Sequence, residues 1–129
     1  GLKGRWEILQ LSPKVICDTA HNKEGLTYVM KQLLSESFEN LHIVFGVVND
    51  KDLSQIFDIL PKEAIYYFCK PNIPRGLDAE NLKSMFHQKG FKGNSYNSVV
   101  EAYKDALNKA SNTDLVFIGG STFVVAEIL

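Results

Sequence analysis

Three polar side chains follow one short apolar run near the amino terminus, in the stretch VICDTAHN. They are Asp18, His21 and Asn22. A carboxylate can accept several hydrogen bonds at once, and an imidazole can donate or accept a proton. Asparagine is also a common helix cap. The stretch predicts either a ligand site or a well-capped helix start, and the residue types leave both open.

Polar residues follow three further apolar runs in the same way, in the sequences GVVNDKD, KPNIPRGLD and GGST. The chain has no GxxxxGK[ST] phosphate loop, no GxGxxG fingerprint, no HExxH motif and no nucleophile elbow. GGST could cradle an anion through backbone N–H groups, but any tight turn would use the same residues. No metal-ligand spacing such as CxxC occurs, so we expect no metal site in this chain.

The composition is that of one globular domain. Hydrophobic residues make up 45% of the 129 residues and charged residues 22%, with a formal net charge of -1. Such a balance gives no reason to expect a nucleic acid or a membrane surface as a partner. No apolar run reaches the roughly 18 to 20 residues that a membrane span requires, and the amino terminus has no signal-peptide pattern. We therefore expect a cytoplasmic protein.

The two cysteines, Cys17 and Cys69, each lie within an apolar, strand-like run. A free thiol in such a place behaves as a small hydrophobic side chain. We expect both cysteines to be unpaired.

Apolar runs alternate with helical patterns along the chain, which is typical of a sheet with crossover helices. The predicted strands are 6–11, 15–18, 41–48, 64–69, a weak one at 92–96, and 114–119. Apolar stripes predict helices within 26–34, 53–60, 78–89 and 99–110, and another helix follows Ser121. The pattern predicts an α/β fold: a three-layer αβα, Rossmann-like domain with a mainly parallel sheet of about six strands.

The first strand is predicted to be an antiparallel edge strand. Only a short turn at Ser12 and Pro13 separates it from the second strand, which leaves no room for a crossover helix. In a mainly parallel sheet, ligands bind at the carboxyl ends of the strands, where helix N-termini also present free N–H groups. The four polar stretches all follow strands, so this edge is the predicted site.

Four motifs resemble one known family. GRWEIL, P-x-VICDTAHN, VFGVVNDKD and FIGGSTFVVAE, in this order and over nearly the whole chain, resemble the C-terminal domain of folylpolyglutamate synthase and dihydrofolate synthase. These enzymes belong to the Mur ligase family of ATP-dependent, amide-forming ligases. The D-x-AHN and FG-x-x-x-DKD elements favour the folate branch, because cell-wall members carry different residues after the aspartate.

The resemblance implies that residues 1–129 are the C-terminal domain of a three-domain enzyme. The N-terminal and central domains would supply the P-loop, the Mg²⁺ ligands and most of the folate site. The implied reaction uses ATP to convert folate or dihydropteroate to an acyl phosphate, from which the amine of L-glutamate displaces phosphate. The implied enzyme is a monomer whose C-terminal domain closes over the central one, and this domain alone is expected to be inactive.

The resemblance also implies roles for single residues. Asp18 matches an aspartate that hydrogen-bonds the ATP ribose, and Arg5 matches an interdomain arginine that reaches ATP phosphate. His21 matches a histidine that faces the reaction centre, near the γ-phosphate and the incoming glutamate. Each has a simpler reading: Asp18 could be a helix N-cap or link to a neighbouring loop, Arg5 could be a solvated surface residue, and His21 could anchor its own loop.

Ser121 matches a serine associated with the amino-acid substrate, and it would also cap the following helix well. Asn22 is predicted to cap its helix, although Lys23 replaces the proline usual in the family. Asp50 is predicted to cap a helix that begins near Lys51. Asn22, Asp50, Lys51 and Arg75 are further candidates for lining the site, although the loop that carries Arg75 could equally be a rigid turn.

Two other functions fit the same sequence. One is a cell-wall ligase domain, which would differ in its acceptor substrate. The other is a stand-alone regulatory module that binds a nucleotide or an anion, which would bind its ligand without any other domain.

Overall fold

This computed structural model describes residues 2–129, which contain six strands and four α-helices. The strands are β1 (Glu7–Leu11), β2 (Lys14–Cys17), β3 (Leu41–Phe45), β4 (Ile65–Phe68), β5 (Lys92–Ser95) and β6 (Leu115–Gly119). The helices are α1 (Lys23–Leu34), α2 (Ala79–Gln88), α3 (Val99–Lys109) and α4 (Thr122–Ala126). A 3-10 turn occupies Leu53–Gln55.

The strands form a single sheet in the order β1-β2-β6-β3-β4-β5. β1 pairs with β2 in antiparallel fashion, and all other neighbours are parallel. The predicted mainly parallel sheet with one antiparallel edge strand is therefore confirmed. Because β2, β6, β3 and β4 run in the same direction, the loops after them open at the same edge of the sheet.

Helices cover both faces of this sheet, which gives the predicted three layers. On one face, α1 and α2 pack against alternate strand residues through Leu26, Leu33 and Phe86. On the other face, α3 and α4 pack through Ala102 and Val124. The central strands β3 and β6 are buried along their whole length, which explains why their sequences lack polar alternation.

Both cysteines are buried and unpaired, as expected. Cys17 lies at the end of β2 and Cys69 directly follows β4. Burial raises the pKa of the Cys17 thiol to about 11, and the negative charges of Glu7 and Asp18 act in the same direction. The thiol therefore stays protonated and behaves as a packing group.

The predicted helix over 53–60 is wrong in extent. The structure has only the 3-10 turn followed by further turns, although Leu53, Ile56 and Leu60 are buried as their spacing predicted. Pro61 limits this segment at its C-terminal end, because a proline disfavours helical backbone at the residue before it. The spacing of apolar residues thus predicted the buried residues correctly and the helix wrongly.

None of the helices in residues 2–129 combines the length and the apolar character needed to cross a bilayer.

A buried polar network joins the strand starts opposite the predicted site. The Nδ1 of His42 lies 2.8 Å from the hydroxyl of Tyr67, and its Nε2 lies 2.8 Å from Oδ2 of Asp114. Asp114 also accepts from the backbone N–H groups of Asn40 and Ser111. Burial opposes ionisation of Asp114, yet these hydrogen bonds outweigh it and lower its pKa from 3.8 to about 2.

We predict that this network makes the domain sensitive to acid. Because the pKa of Asp114 is lower in the folded state, the unfolded state binds more protons between about pH 4 and pH 2, and stability falls as pH falls through this window. Asp114→Asn should remove about 2 kcal/mol of this pH dependence. Urea unfolding at several pH values measures the effect. Asp58→Asn, at an exposed carboxylate, is the control. The same dependence of the free energy of unfolding on pH in both variants would contradict the prediction.

Candidate functional site

Two adjacent grooves open at the carboxyl edge of the sheet. The first encloses about 510 Å³ between the segment before β1 and the start of α1. The second encloses about 350 Å³ between the loops after β3, β4 and β6. His21 and Thr122 line both grooves, so the two grooves meet at these residues.

The structure brings together nearly all of the predicted site residues. Arg5, Asp18, His21 and Asn22 line the first groove. His21, Lys51, Arg75 and Ser121 line the second. Asp50 is the exception, since it lines neither groove.

Asp18 is buried, and its carboxylate already has two protein partners. Oδ2 accepts from the backbone N–H of Trp6 at 2.8 Å, and Oδ1 accepts from the backbone N–H of Ala20 at 2.8 Å. Asp18 therefore links the segment before β1 to its own loop. An ionised carboxylate has about four lone-pair sites, so each oxygen can still accept a further hydrogen bond.

The segment that carries Arg5 is held in an unusual backbone conformation. Trp6 has φ of 43°, in the left-handed region that a bulky residue rarely adopts. The N–H of Trp6 donates to Asp18. The carbonyl of Gly4, on the other side of Arg5, accepts from the N–H of Thr19 at 2.8 Å. These two bonds fix the backbone on both sides of Arg5, and so position an arginine at the rim of the first groove.

His21 and Asn22 complete the junction between β2 and α1. The Oδ1 of Asn22 accepts from the N–H of Gly25 at 2.8 Å, which confirms Asn22 as the helix cap, with Lys23 as the first helical residue. His21 is exposed, and its Nδ1 lies 3.3 Å from the carbonyl of Thr19. When Nδ1 carries the proton, Nε2 is an acceptor available to a ligand.

Ser121 is buried at the start of α4. Its Oγ accepts from the N–H of Phe123 at 3.1 Å, which confirms the predicted cap. The hydroxyl proton of Ser121 is not used in that bond. Ser121 can therefore cap α4 and donate to a ligand in the second groove at the same time.

The predicted cap at Asp50 is wrong. Asp52 caps the 3-10 turn instead: its Oδ1 accepts from the backbone N–H of Ser54 at 3.1 Å and from the Ser54 hydroxyl at 2.6 Å. The turn begins at Leu53, two residues later than expected, so the capping position moves with it.

Burial lowers the pKa of Lys51, and the neighbouring negative charges of Asp50 and Asp52 partly oppose this effect.

Sequence reasoning missed the aromatic partner of Arg75. The guanidinium carbon of Arg75 lies 5.2 Å from the ring centroid of Phe123, in a cation–π contact across the second groove. The position of Phe123 two residues after Ser121 was the available signal. Its contact with a loop almost fifty residues away could not be inferred from spacing.

No three His, Cys, Asp or Glu side chains come close enough to hold a metal ion within residues 2–129. The site is instead lined by cations, a carboxylate and a hydroxyl, which suit a ligand with anionic groups and hydroxyls.

The fold and the grooves define an α/β domain whose grooves, at the carboxyl edge of its sheet, suit an anionic ligand. Residues 4–122 match the family described as Mur ligase, glutamate ligase domain. The match covers most of the chain, which therefore belongs to this family, as the four motifs indicated.

Curated relatives carry the same domain within much longer chains. A probable bifunctional folylpolyglutamate synthase/dihydropteroate synthase from Haloferax volcanii is 35% identical over 125 residues, which are 96% of this chain and 15% of that protein. The dihydrofolate synthase/folylpolyglutamate synthase of Escherichia coli is 33% identical over 132 residues, 99% of this chain and 30% of that protein. The chain thus spans less than a third of either relative.

Solved structures show the same fold. E. coli FolC in complex with DHPP and ADP has a TM-score of 0.84 at 30% identity, over 98% of this chain and 30% of that one. A bifunctional folylpolyglutamate synthase/dihydrofolate synthase with Mn, AMPPNP and L-glutamate bound has a TM-score of 0.87 at 25% identity, over 99% of this chain and 31% of that one. The predicted α/β, Rossmann-like fold is confirmed.

We predict that Asp18→Asn loosens the segment before β1. Asparagine replaces one carboxylate oxygen with an NH₂ group, which cannot accept a hydrogen bond. One of the two backbone N–H groups then loses its acceptor, which should cost about 1–3 kcal/mol of stability. Trp6 is the only tryptophan in the sequence, so a shift in its fluorescence emission reports on this segment directly. Asp78→Asn, at the cap of α2, is the matched control. Unchanged Trp6 emission in Asp18→Asn would contradict the prediction.

Proposed function

We propose that the chain, residues 1–129, is the C-terminal domain of an ATP-dependent ligase that adds L-glutamate to folate or dihydropteroate. One observation carries the proposal: two grooves that share His21 bring Arg5, Asp18 and Ser121 to one edge of a domain of this family. The ligands named for the solved relatives, ADP, AMPPNP, DHPP and L-glutamate, agree with these substrates.

In the proposed reaction, a carboxylate oxygen of the pteridine acid attacks the γ-phosphorus of ATP, which gives an acyl phosphate and ADP. The amine of L-glutamate then attacks the acyl carbon. The bond from that carbon to the phosphate oxygen breaks, and the products are an amide, inorganic phosphate and one proton. Both steps need anionic groups held close together against their repulsion, which the cations of the site can provide.

The first groove would hold the nucleotide. The guanidinium of Arg5, fixed by its neighbours Gly4 and Trp6, matches phosphate oxygens in charge and geometry. Asp18 would accept hydrogen bonds from the ribose hydroxyls through the lone pairs that its two backbone donors leave free. In this role Asp18 binds substrate and holds the loop together at once.

The second groove would hold the amino acid next to the reaction centre. His21 lines both grooves, so its imidazole can position phosphate oxygens or take the proton that the attacking amine loses. Ser121 would donate its hydroxyl proton to a carboxylate of L-glutamate. Lys51 and Arg75 add positive charge to the same groove.

The remaining parts of the reaction would belong to N-terminal and central domains. ATP would require Mg²⁺, which neutralises phosphate charge, but the described residues form no metal site, and we assign this chain no step through the metal. The domain would close over the central one. The assignment also implies a monomeric, cytoplasmic enzyme that binds neither nucleic acid nor membranes.

The primary test is ADP release by the full-length enzyme, with and without dihydropteroate and L-glutamate. We expect turnover that needs both substrates and none by the 129-residue chain alone, because this chain has no P-loop. ADP release that does not depend on the pteridine acid would refute the folate assignment.

We predict that His21→Ala lowers kcat by about 100-fold while the KM for ATP changes little, since the side chain would act at the reaction centre. His87→Ala removes an exposed histidine on α2, far along the chain from the site, and serves as the control. If both variants retain the wild-type kcat, His21 only anchors its own loop.

We predict that Arg5→Ala raises the KM for ATP roughly tenfold or more, because the phosphates lose a charged donor. The KM for L-glutamate should stay close to that of the wild type. Lys3→Ala, at another cation of the same segment, is the matched control. An Arg5→Ala enzyme with an unaltered KM for ATP would show that Arg5 is a solvated surface residue.

A further inference from the structure

Arg75 lies in the loop that follows β4, and His21 lies three strand positions away along the same edge of the sheet. His21 follows β2, and both β6 and β3 lie between β2 and β4. Three strand spacings amount to roughly 14 Å. The order along the edge is therefore His21, Ser121, Lys51 and Arg75, with each residue contributed by the loop after the next strand.

The contact with Phe123 places the guanidinium of Arg75 toward the middle of this row. Phe123 is in α4, directly after β6, and its ring centroid lies 5.2 Å from the guanidinium carbon. Arg75 thus spans from the β4 side of the second groove to the β6 side, where Ser121 lies. A cation–π contact with a ring uses no N–H donor of a guanidinium, so these donors stay available to a second partner.

The backbone of the Arg75 loop is fixed on both sides of this contact. The carbonyl of Arg75 accepts from the N–H of Asn49 at 2.7 Å, and Gly76 pairs with Val48 in an isolated bridge. On the other side, the N–H of Asn72 donates to the carboxylate of Glu127 at 2.7 Å. The loop is therefore braced against the loop after β3 and against the end of α4.

Arg75 forms no ion pair with any of the residues that the structure describes. Among residues 2–129, no carboxylate oxygen lies within 4.0 Å of its guanidinium, nor of the ammonium of Lys51. Glu127, the acid that braces the loop, uses its Oε2 for the N–H of Asn72. A braced, stacked and unpaired arginine in a groove matches a carboxylate that binds it through two parallel hydrogen bonds.

We infer that Arg75, positioned by Phe123, binds the side-chain carboxylate of the amino-acid substrate and so selects a dicarboxylic amino acid. The inference rests on the proposed function and deepens it. The amine and the α-carboxylate share one carbon, so both must lie near the reaction centre at His21. The side-chain carboxylate is the group that can reach farthest along the row, where Arg75 stands.

The test compares L-glutamate with L-glutamine in the full-length enzyme, because the two differ only in the charge and chemistry of the terminal group. Arg75→Ala should lower the ratio of kcat/KM for glutamate over glutamine roughly tenfold or more, through a higher KM for glutamate. The KM for ATP should not change. Lys70→Ala, a cation in the same loop that lines neither groove, should leave the ratio as in the wild type.

Phe123 separates a positioning role from a purely structural one. Phe123→Leu should raise the KM for glutamate with kcat largely preserved, whereas Phe123→Tyr keeps an aromatic ring under Arg75 and should behave as the wild type. A loss of folding would instead lower kcat in both variants.

Three results would overturn the inference. One is an equal loss for glutamate and glutamine in Arg75→Ala, and another is an unchanged ratio. The third is a rise confined to the KM for the pteridine acid, which would place Arg75 on the acceptor. Failure of the wild-type enzyme to use glutamate at all would refute the proposed function instead, so the two failures are distinguishable.

Discussion

The carboxyl ends of β3 and β6 approach each other so closely that only glycine fits between them, and the site depends on this approach. A Cβ on Gly120, whose φ is 99°, would lie 2.5 Å from the carbonyl oxygen of Gly46. A Cβ on Gly46 would in turn lie 2.5 Å from the carbonyl oxygen of Cys69, after β4. These contacts bring the loops after three parallel strands together, and the second groove is the space that they enclose.

The fold was largely predictable because its signals are local. The apolar runs located five of the six strands, β5 was only weakly indicated, and the short turn at Pro13 gave the antiparallel edge. Strand ends were less predictable: the run 41–48 continues past Gly46, but β3 ends at Phe45, where the chain turns into the site. The expected helix over 53–60 failed because packing needs only a buried face, and the 3-10 turn and the turns that follow it before Pro61 supply that face.

The site was predictable in its membership and not in its internal contacts. Residue types after the strands identified His21, Ser121 and Arg75 as neighbours, since parallel strands must end together. The stacking of Arg75 on Phe123 and the brace from Asn72 to Glu127 join residues from distant parts of the sequence. Such pairs depend on how far each loop extends beyond its strand, which residue types do not determine.

Asp18 shows why the alternatives of structure and function need not exclude each other. Its carboxylate fixes Trp6 at a positive φ, and that backbone conformation in turn positions Arg5. A nucleotide that bound both Asp18 and Arg5 would therefore contact two residues whose positions the hydrogen bond from Trp6 to Asp18 already fixes. Since the acceptor for the N–H of Trp6 is the Asp18 carboxylate, the local fold and the geometry of the first groove rest on the same side chain.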